Sequence, residues 1–199
     1  MKTSLFLTVA AALACLGFAS PASAGGVDEI RIAAAHNLRL DHGDLVDGKE
    51  GNDVQGEVVF STMRVLNILG GPRPYVVGSW NTEGKADFAG VGLLWRLHLA
   101  HNWAFEPGFG YIIHDGPLEN DFPPGDPRAI NLEHHHQLLG SRDLFRTTLA
   151  LENIVSDHAA WQIYYEHMSH GQIIGQGRNQ GLDDVGVRLV LRFNPDPAR

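Results

Sequence analysis

Apolar side chains recur at every second residue through most of this chain, and that period decides what it can fold into. In the last such stretch Val185, Val187, Leu189, Leu191 and Phe193 alternate with Gly186, Arg188, Val190 and Arg192. Trp161, Ile163 and Tyr165 alternate with Gln162, Tyr164 and Glu166, while Ala89, Val91, Leu93, Trp95 and Leu97 alternate with Gly90, Gly92, Leu94 and Arg96. Trp103, Phe105, Phe109, Tyr111 and Ile113 share one face, and Phe145, Leu149 and Leu151 oppose Arg146, Thr148 and Glu152. Successive side chains of an extended strand point to opposite faces, so a period of two predicts half-apolar strands. Fainter versions over Val27–Ala35, Val54–Met63 and Arg73–Trp80 bring the expected number of strands to eight. Helical spacing is not sustained anywhere after the first residues.

Eight antiparallel strands with one apolar face can close as a soluble barrel or sandwich, apolar side in. They can also close as a transmembrane barrel, apolar side out. Three features favour the second. The polar face carries Arg96, Glu106, Arg146, Glu152, Glu166, Arg188 and Arg192, a set suited to mutual pairing in a narrow lumen. Trp103, Tyr111, Trp161, Tyr165 and Phe193 stand at strand ends, where a barrel carries its interfacial aromatic girdles. The links Asn37–Asp53, His114–Arg142 and His170–Leu182 are long, whereas Ala100–Asn102 and Val155–His158 are tight; Arg64–Pro72 is the exception. The long link with Pro123–Pro124 and Pro127 reads as an external excursion rather than a second domain. The expected fold is an all-β, eight-stranded antiparallel transmembrane barrel of the bacterial outer membrane.

The amino terminus supports export. Lys2 is followed by an apolar run from Leu5 to Phe18 and by Ala22–Ser23–Ala24, the three parts of a secretory signal peptide. We read residues 1–24 as that signal and 25–199 as a single barrel domain. Lipidation at Cys15 is a weaker alternative, because Ala12–Leu13–Ala14 matches the required small-residue motif poorly. No later apolar run approaches the ~18 residues of a membrane-spanning helix. The 199-residue chain has 15 Lys+Arg against 23 Asp+Glu and a net charge of −8, which argues against nucleic acid as a partner.

Chemistry gathers at one end of the last hairpin. His167 and Ser169 continue the face of Trp161, Ile163 and Tyr165, about 6.6 Å apart along the strand. Asp183 belongs to the set of Val185 and Val187. If Ser169 pairs opposite Asp183, His167 is the diagonal neighbour, and a base, a nucleophile and an acid converge on the lipid-facing side. Polar groups on such a face are expensive and point to function. The plainer alternative is interfacial polar residues followed by an ordinary strand start.

The segments Tyr165–Glu166–His167–Met168–Ser169 and Asn179–Gln180–Gly181–Leu182–Asp183, with a closing strand that ends Leu191–Arg192–Phe193, resemble the carboxy-terminal signature of the lipid A 3-O-deacylases of the PagL type. Leu139–Gly140–Ser141–Arg142 and Leu144–Phe145–Arg146 resemble that family's sixth strand. The likeness covers roughly the last 60 residues, and the amino-terminal half matches only in strand pattern. It implies an eight-stranded outer-membrane barrel that hydrolyses a hydroxyacyl ester of lipid A, with Ser169 as nucleophile, His167 as general base and Asp183 as the acid orienting the imidazole. The family often has Glu at the last position, and commonly Asn after the serine, where this chain has His170. The oxyanion donors implied are therefore the N–H groups of His170 and Gly171, or the His170 ring. The substrate would be lipopolysaccharide, the remaining partners outer-membrane lipids, and association as a homodimer stays open. No cofactor or metal is implied: His134–His135–His136 lies in a loop, and His98, His101 and His114 are scattered at strand ends and expected to be solvated. The competing classes are a non-catalytic outer-membrane barrel and a soluble periplasmic lipid-binding barrel.

Overall fold

A computed structural model describes residues 26–41, 44–175 and 177–194. The expected signal peptide and Cys15 lie outside the described residues. The strands are β1 (Val27–Asp41), β2 (Asp44–Phe60), β3 (Arg73–Asn81), β4 (Phe88–Leu94), β5 (Leu97–Ala100), β6 (Trp103–His114), β7 (Asp143–Ser156), β8 (Ala159–Ser169) and β9 (Leu182–Arg192). They pair antiparallel in the order β4-β3-β2-β1-β9-β8-β7-β6-β5, and β4 also pairs with β6, which closes the sheet. Segments β4 and β5 together flank β6 and count as one barrel strand, so the fold is a closed eight-stranded antiparallel barrel.

The break between β4 and β5 falls where the ladder meets proline. Pairing with β6 runs to Leu94↔Gly108 and resumes at Leu97↔Phe105. Pro107, between those positions, has no N–H to donate, and only its carbonyl is used, by Trp95 N–H at 2.9 Å. Arg96 turns into the lumen at the same point and bonds Glu152.

Burial alternates along every long strand, and the charged side is the inside. Glu29, Arg31, Arg146, Glu152, Glu166 and Arg188 are buried, while Ile32, Val91, Ile163, Val187, Leu189 and Leu191 face outward. Arg31 is the buried hub of the lumen network, bonding Glu29 at 2.5 Å, Glu106 at 2.6 Å and Glu57 at 3.0 Å. Arg146 joins Glu166 at 2.7 Å to Glu57 at 3.2 Å, and Arg192 reaches Glu152 at 2.8 Å. A lone charge enclosed this way costs several kcal/mol, so charges of both signs fill the lumen as one network. The expected lumen residues are all found there, and Glu29, Arg31, Glu57 and Arg73 join them.

Trp103 and Trp161 meet edge to face at the end of the barrel where β1 begins and β9 ends. Tyr111 and Tyr165 face outward near the other end, where the long loops lie. Between Trp103 and Tyr111, β6 climbs roughly 20 Å along the barrel axis at ordinary rise and tilt, close to the ~25 Å apolar band of an outer-membrane barrel.

Three expectations are corrected. The segment Asn37–Asp53 is not a loop: β1 and β2 continue past the barrel as a hairpin paired out to Asp41↔Asp44. The excursion after β6 contains a helix, α1 (Pro127–His135), which starts because the Asp126 carboxylate accepts from Arg128 N–H at 2.8 Å and proline occupies the first turn. His114 is buried rather than solvated, its ring against the Ser141 carbonyl at 2.7 Å.

Candidate active site

Strands β8 and β9 bring the chemistry together at the loop end of the barrel. Their ladder pairs His167 directly with Asp183 and stops at Met168↔Leu182. The expected register, with Ser169 opposite Asp183, is therefore off by two residues. The difference helps the site, because directly opposed side chains lie closer than diagonal ones. His167 Nδ1 is 2.7 Å from Asp183 Oδ1, and His167 Nε2 is 3.1 Å from Ser169 Oγ. A carboxylate can only accept, so Nδ1 carries the proton and Nε2 is left to accept from the serine hydroxyl.

The site lies on the outward face. Met168, Leu182 and Asp184 are buried beside it, whereas the His167 and Asp183 side chains are 42% and 34% exposed. Strand parity accounts for this: His167 and Ser169 belong with Ile163 and Tyr165, and Glu166 with the lumen. From the lumen side, Asn37 on β1 donates to the Asp183 carbonyl at 3.1 Å and to the Asp184 carboxylate at 2.8 Å, fixing the backbone that carries the acid.

The loop from His170 to Gly181 folds tightly against its neighbours. Gly171 and Gln172 both take left-handed conformations, with φ of 59° and 57°, and Ile173 N–H bonds the His170 carbonyl at 3.0 Å. Two left-handed central residues define a type I′ turn immediately after the serine. Arg178 bonds Glu133 of α1 at 3.0 Å, and Leu138 N–H bonds the Gln180 side chain at 2.6 Å, so the loop is braced by the excursion after β6. Asn120 and Arg178 donate to the Glu133 carboxyl and hold it below the usual range.

His170 does not face the Asp183–His167–Ser169 cluster. Parity turns it inward, and its ring is fully used: Nε2 lies 3.1 Å from the Arg178 carbonyl and Nδ1 accepts from Gln172 N–H at 3.2 Å. The ring is thus removed as an oxyanion donor, leaving the main-chain N–H groups of His170 and Gly171 that follow Ser169 in the chain.

Two further residues belong to the site although no role in it was expected of them from the sequence. Tyr165 donates its hydroxyl to Asp183 Oδ1 at 2.6 Å, the oxygen that also bonds His167. Its place in the same alternating set as His167 was the available signal. Gly181, with φ of 67°, stands over the imidazole, and a Cβ there would lie 3.2 Å from His167 Cε1.

No protein-family model matches this sequence, and no curated protein is a significant match to it. Solved structures do resemble it. The crystal structure of the outer membrane enzyme PagL aligns with a TM-score of 0.57 at 11% identity, covering 82% of this chain and 98% of that one. Neisserial surface protein A aligns with a TM-score of 0.53 at 10% identity, over 83% of this chain and 96% of its own. A de novo designed transmembrane β-barrel aligns at 0.50 and 10% identity, over 85% and 98%. At such identities the likeness concerns the fold alone, that of a small transmembrane β-barrel.

Proposed function

We propose that this chain is an integral outer-membrane esterase, a lipid A 3-O-deacylase whose site faces the outer leaflet. The observation that carries the reading is the unbroken relay Asp183–His167–Ser169, held at 2.7 and 3.1 Å on the lipid-facing side of a barrel. The resemblance of the last third of the sequence to the deacylases supports the choice of substrate.

The chemistry is that of acyl transfer. His167 Nε2 takes the Ser169 proton as Oγ attacks the ester carbonyl that joins a 3-hydroxyacyl chain to the sugar. The Nδ1–H bond to Asp183 stabilises the imidazolium so formed. N–H groups of His170 and Gly171 are the candidate donors to the oxyanion. Collapse of the tetrahedral intermediate breaks the bond to the sugar oxygen, which takes its proton from His167. A water then repeats the sequence on the acyl-serine and releases the 3-hydroxy fatty acid. An outward-facing site suits a substrate whose acyl chains remain in the membrane while its ester lies at the interface.

A non-catalytic barrel is the second reading, and one observation favours it. Tyr111 and Asp143 form another outward-facing tyrosine–aspartate pair, at 2.7 Å, with no histidine in the bond. Incubation of the purified barrel with lipopolysaccharide, followed by mass analysis of lipid A, separates the two. Loss of one hydroxyacyl chain with the parent and none with Ser169→Ala is expected. An unaltered lipid A with the parent sinks the deacylase reading, and full activity in Ser169→Ala removes the nucleophile.

A further inference from the structure

We propose that Tyr165 is a positioning residue for the Ser169 reaction, fixing the Asp183 carboxylate so that one oxygen faces His167. The inference deepens the esterase reading and rests on it for its kinetic consequences.

Asp183 Oδ1 receives two donors, Tyr165 OH at 2.6 Å and His167 Nδ1 at 2.7 Å. An aspartate on the outward face is only one methylene from its backbone and can rotate about that link. A single bond to His167 would leave the carboxylate free to swing with the ring. A second donor from a rigid aromatic, two positions before His167 on β8, fixes the plane of the carboxylate relative to the imidazole. The two strands share the work: β9 supplies the acid, and β8 supplies the tyrosine, the histidine and the serine at successive alternate positions. Ser169 stands four residues beyond Tyr165, about 13 Å along the strand, so the Tyr165 hydroxyl acts on Asp183 and its influence on the serine is indirect.

The hydroxyl also moderates the acid. A donor to Oδ1 draws charge from the carboxylate and weakens it as an acceptor for the imidazolium. Without that donor Asp183 binds charged His167 more firmly, and the base is freed only at higher pH.

The test is Tyr165→Phe in the full barrel, which keeps the ring and removes one oxygen. On lipid A, kcat at the plateau should fall about tenfold, as expected for loss of a hydrogen bond to a charged group, with KM changed by less than about twofold. The acid limb of the kcat–pH profile should move upward. In an Asp183→Ala background the same substitution should have little further effect, because the oxygen it donates to is gone. Tyr111→Phe, which removes an outward tyrosine hydroxyl bonded to Asp143 instead, should leave kcat within about twofold of the parent. Parental kcat and pH profile in Tyr165→Phe overturn the proposal, as does a rise in KM alone, which would make Tyr165 a substrate contact. An undiminished loss in the Asp183→Ala background overturns it as well. If the parent barrel turns over no lipid A, the esterase reading fails separately. The ¹⁵N NMR titration of His167 then decides: an upward shift in Tyr165→Phe supports the pairing, and an unchanged midpoint refutes it.

Discussion

Gly181→Ala tests the geometry of the candidate site with the smallest possible change. Two effects follow from adding one methyl. Gly181 has φ of 67°, where a Cβ strains the backbone by about 1–2 kcal/mol. The methyl would also lie 3.2 Å from His167 Cε1 and 3.3 Å from the Met168 carbonyl oxygen, tighter than ordinary contact. The carbonyl belongs to the β8 ladder and cannot retreat, so the ring must give by a few tenths of an ångström. Cε1 lies between the two nitrogens, and its displacement disturbs both bonds. The Nε2–Oγ bond is already 3.1 Å, near the upper end of the productive range. Since ~1 Å of misplacement costs ~100-fold in rate, a shift of about a third of that predicts a loss of roughly fivefold. Gly177→Ala isolates the backbone effect. Gly177 has φ of 92°, and a Cβ there would meet nothing nearer than Glu119 Oε1 at 3.9 Å. Both variants should lower the unfolding midpoint in urea by comparable amounts while keeping heat-modifiable gel mobility. Only Gly181→Ala should lose rate in lipid A mass analysis. Equal rates in the two variants would refute the placement of the imidazole beneath Gly181.

Asp183→Glu asks whether the register seen here sets the acid's length. With Asp183 directly opposite His167 and already at 2.7 Å, an extra methylene overshoots, and kcat should fall by about tenfold; a gain would favour the diagonal register instead. Arg146→Met leaves Glu57 and Glu166 short of a partner inside the lumen and should destabilise the barrel by roughly 3–5 kcal/mol, read from urea unfolding. A loss below about 1 kcal/mol would mean that the enclosed carboxylates protonate or hydrate at little expense.

Much of this was legible because one period governs the chain. Alternation fixed which side chains go inside, so Arg146, Glu152, Glu166 and Arg188 could be placed in the lumen by parity alone. The same parity placed His167 and Ser169 outward, and applied one residue further it turns His170 inward. The same rule therefore excludes the His170 ring as an oxyanion donor. Strand pairing is a different kind of information. The offset between β8 and β9 depends on the loop joining them, on the left-handed residues Gly171, Gln172 and Gly181, and on the bracing of Arg178 by Glu133. None of these leaves a periodic trace. The central role of Arg31 was hidden for a related reason: β1 carries alanines at positions 33, 34 and 35, which blur the contrast between its faces.

The two outward tyrosine–aspartate pairs show what is structural here and what calls for another explanation. An aspartate on the lipid-facing side of a strand needs a donor, and a tyrosine at the loop end of the barrel supplies one from the neighbouring strand. Tyr111 with Asp143 across β6 and β7 does so, and solvation of the acid accounts for that pair in full. Tyr165 with Asp183 across β8 and β9 repeats the device, yet Asp183 accepts a second bond from His167 on the same oxygen. Once the tyrosine has satisfied that oxygen, a half-exposed imidazole adds little to stability, since exposed ion pairs contribute at most about 1 kcal/mol. The imidazole in turn reaches a serine two positions along its own strand, which solvation of the aspartate does not require. Within one molecule, then, the first pair measures how much the interface demands, and what the second pair has in excess is the set His167 and Ser169, the residues on which the proposed acyl transfer rests.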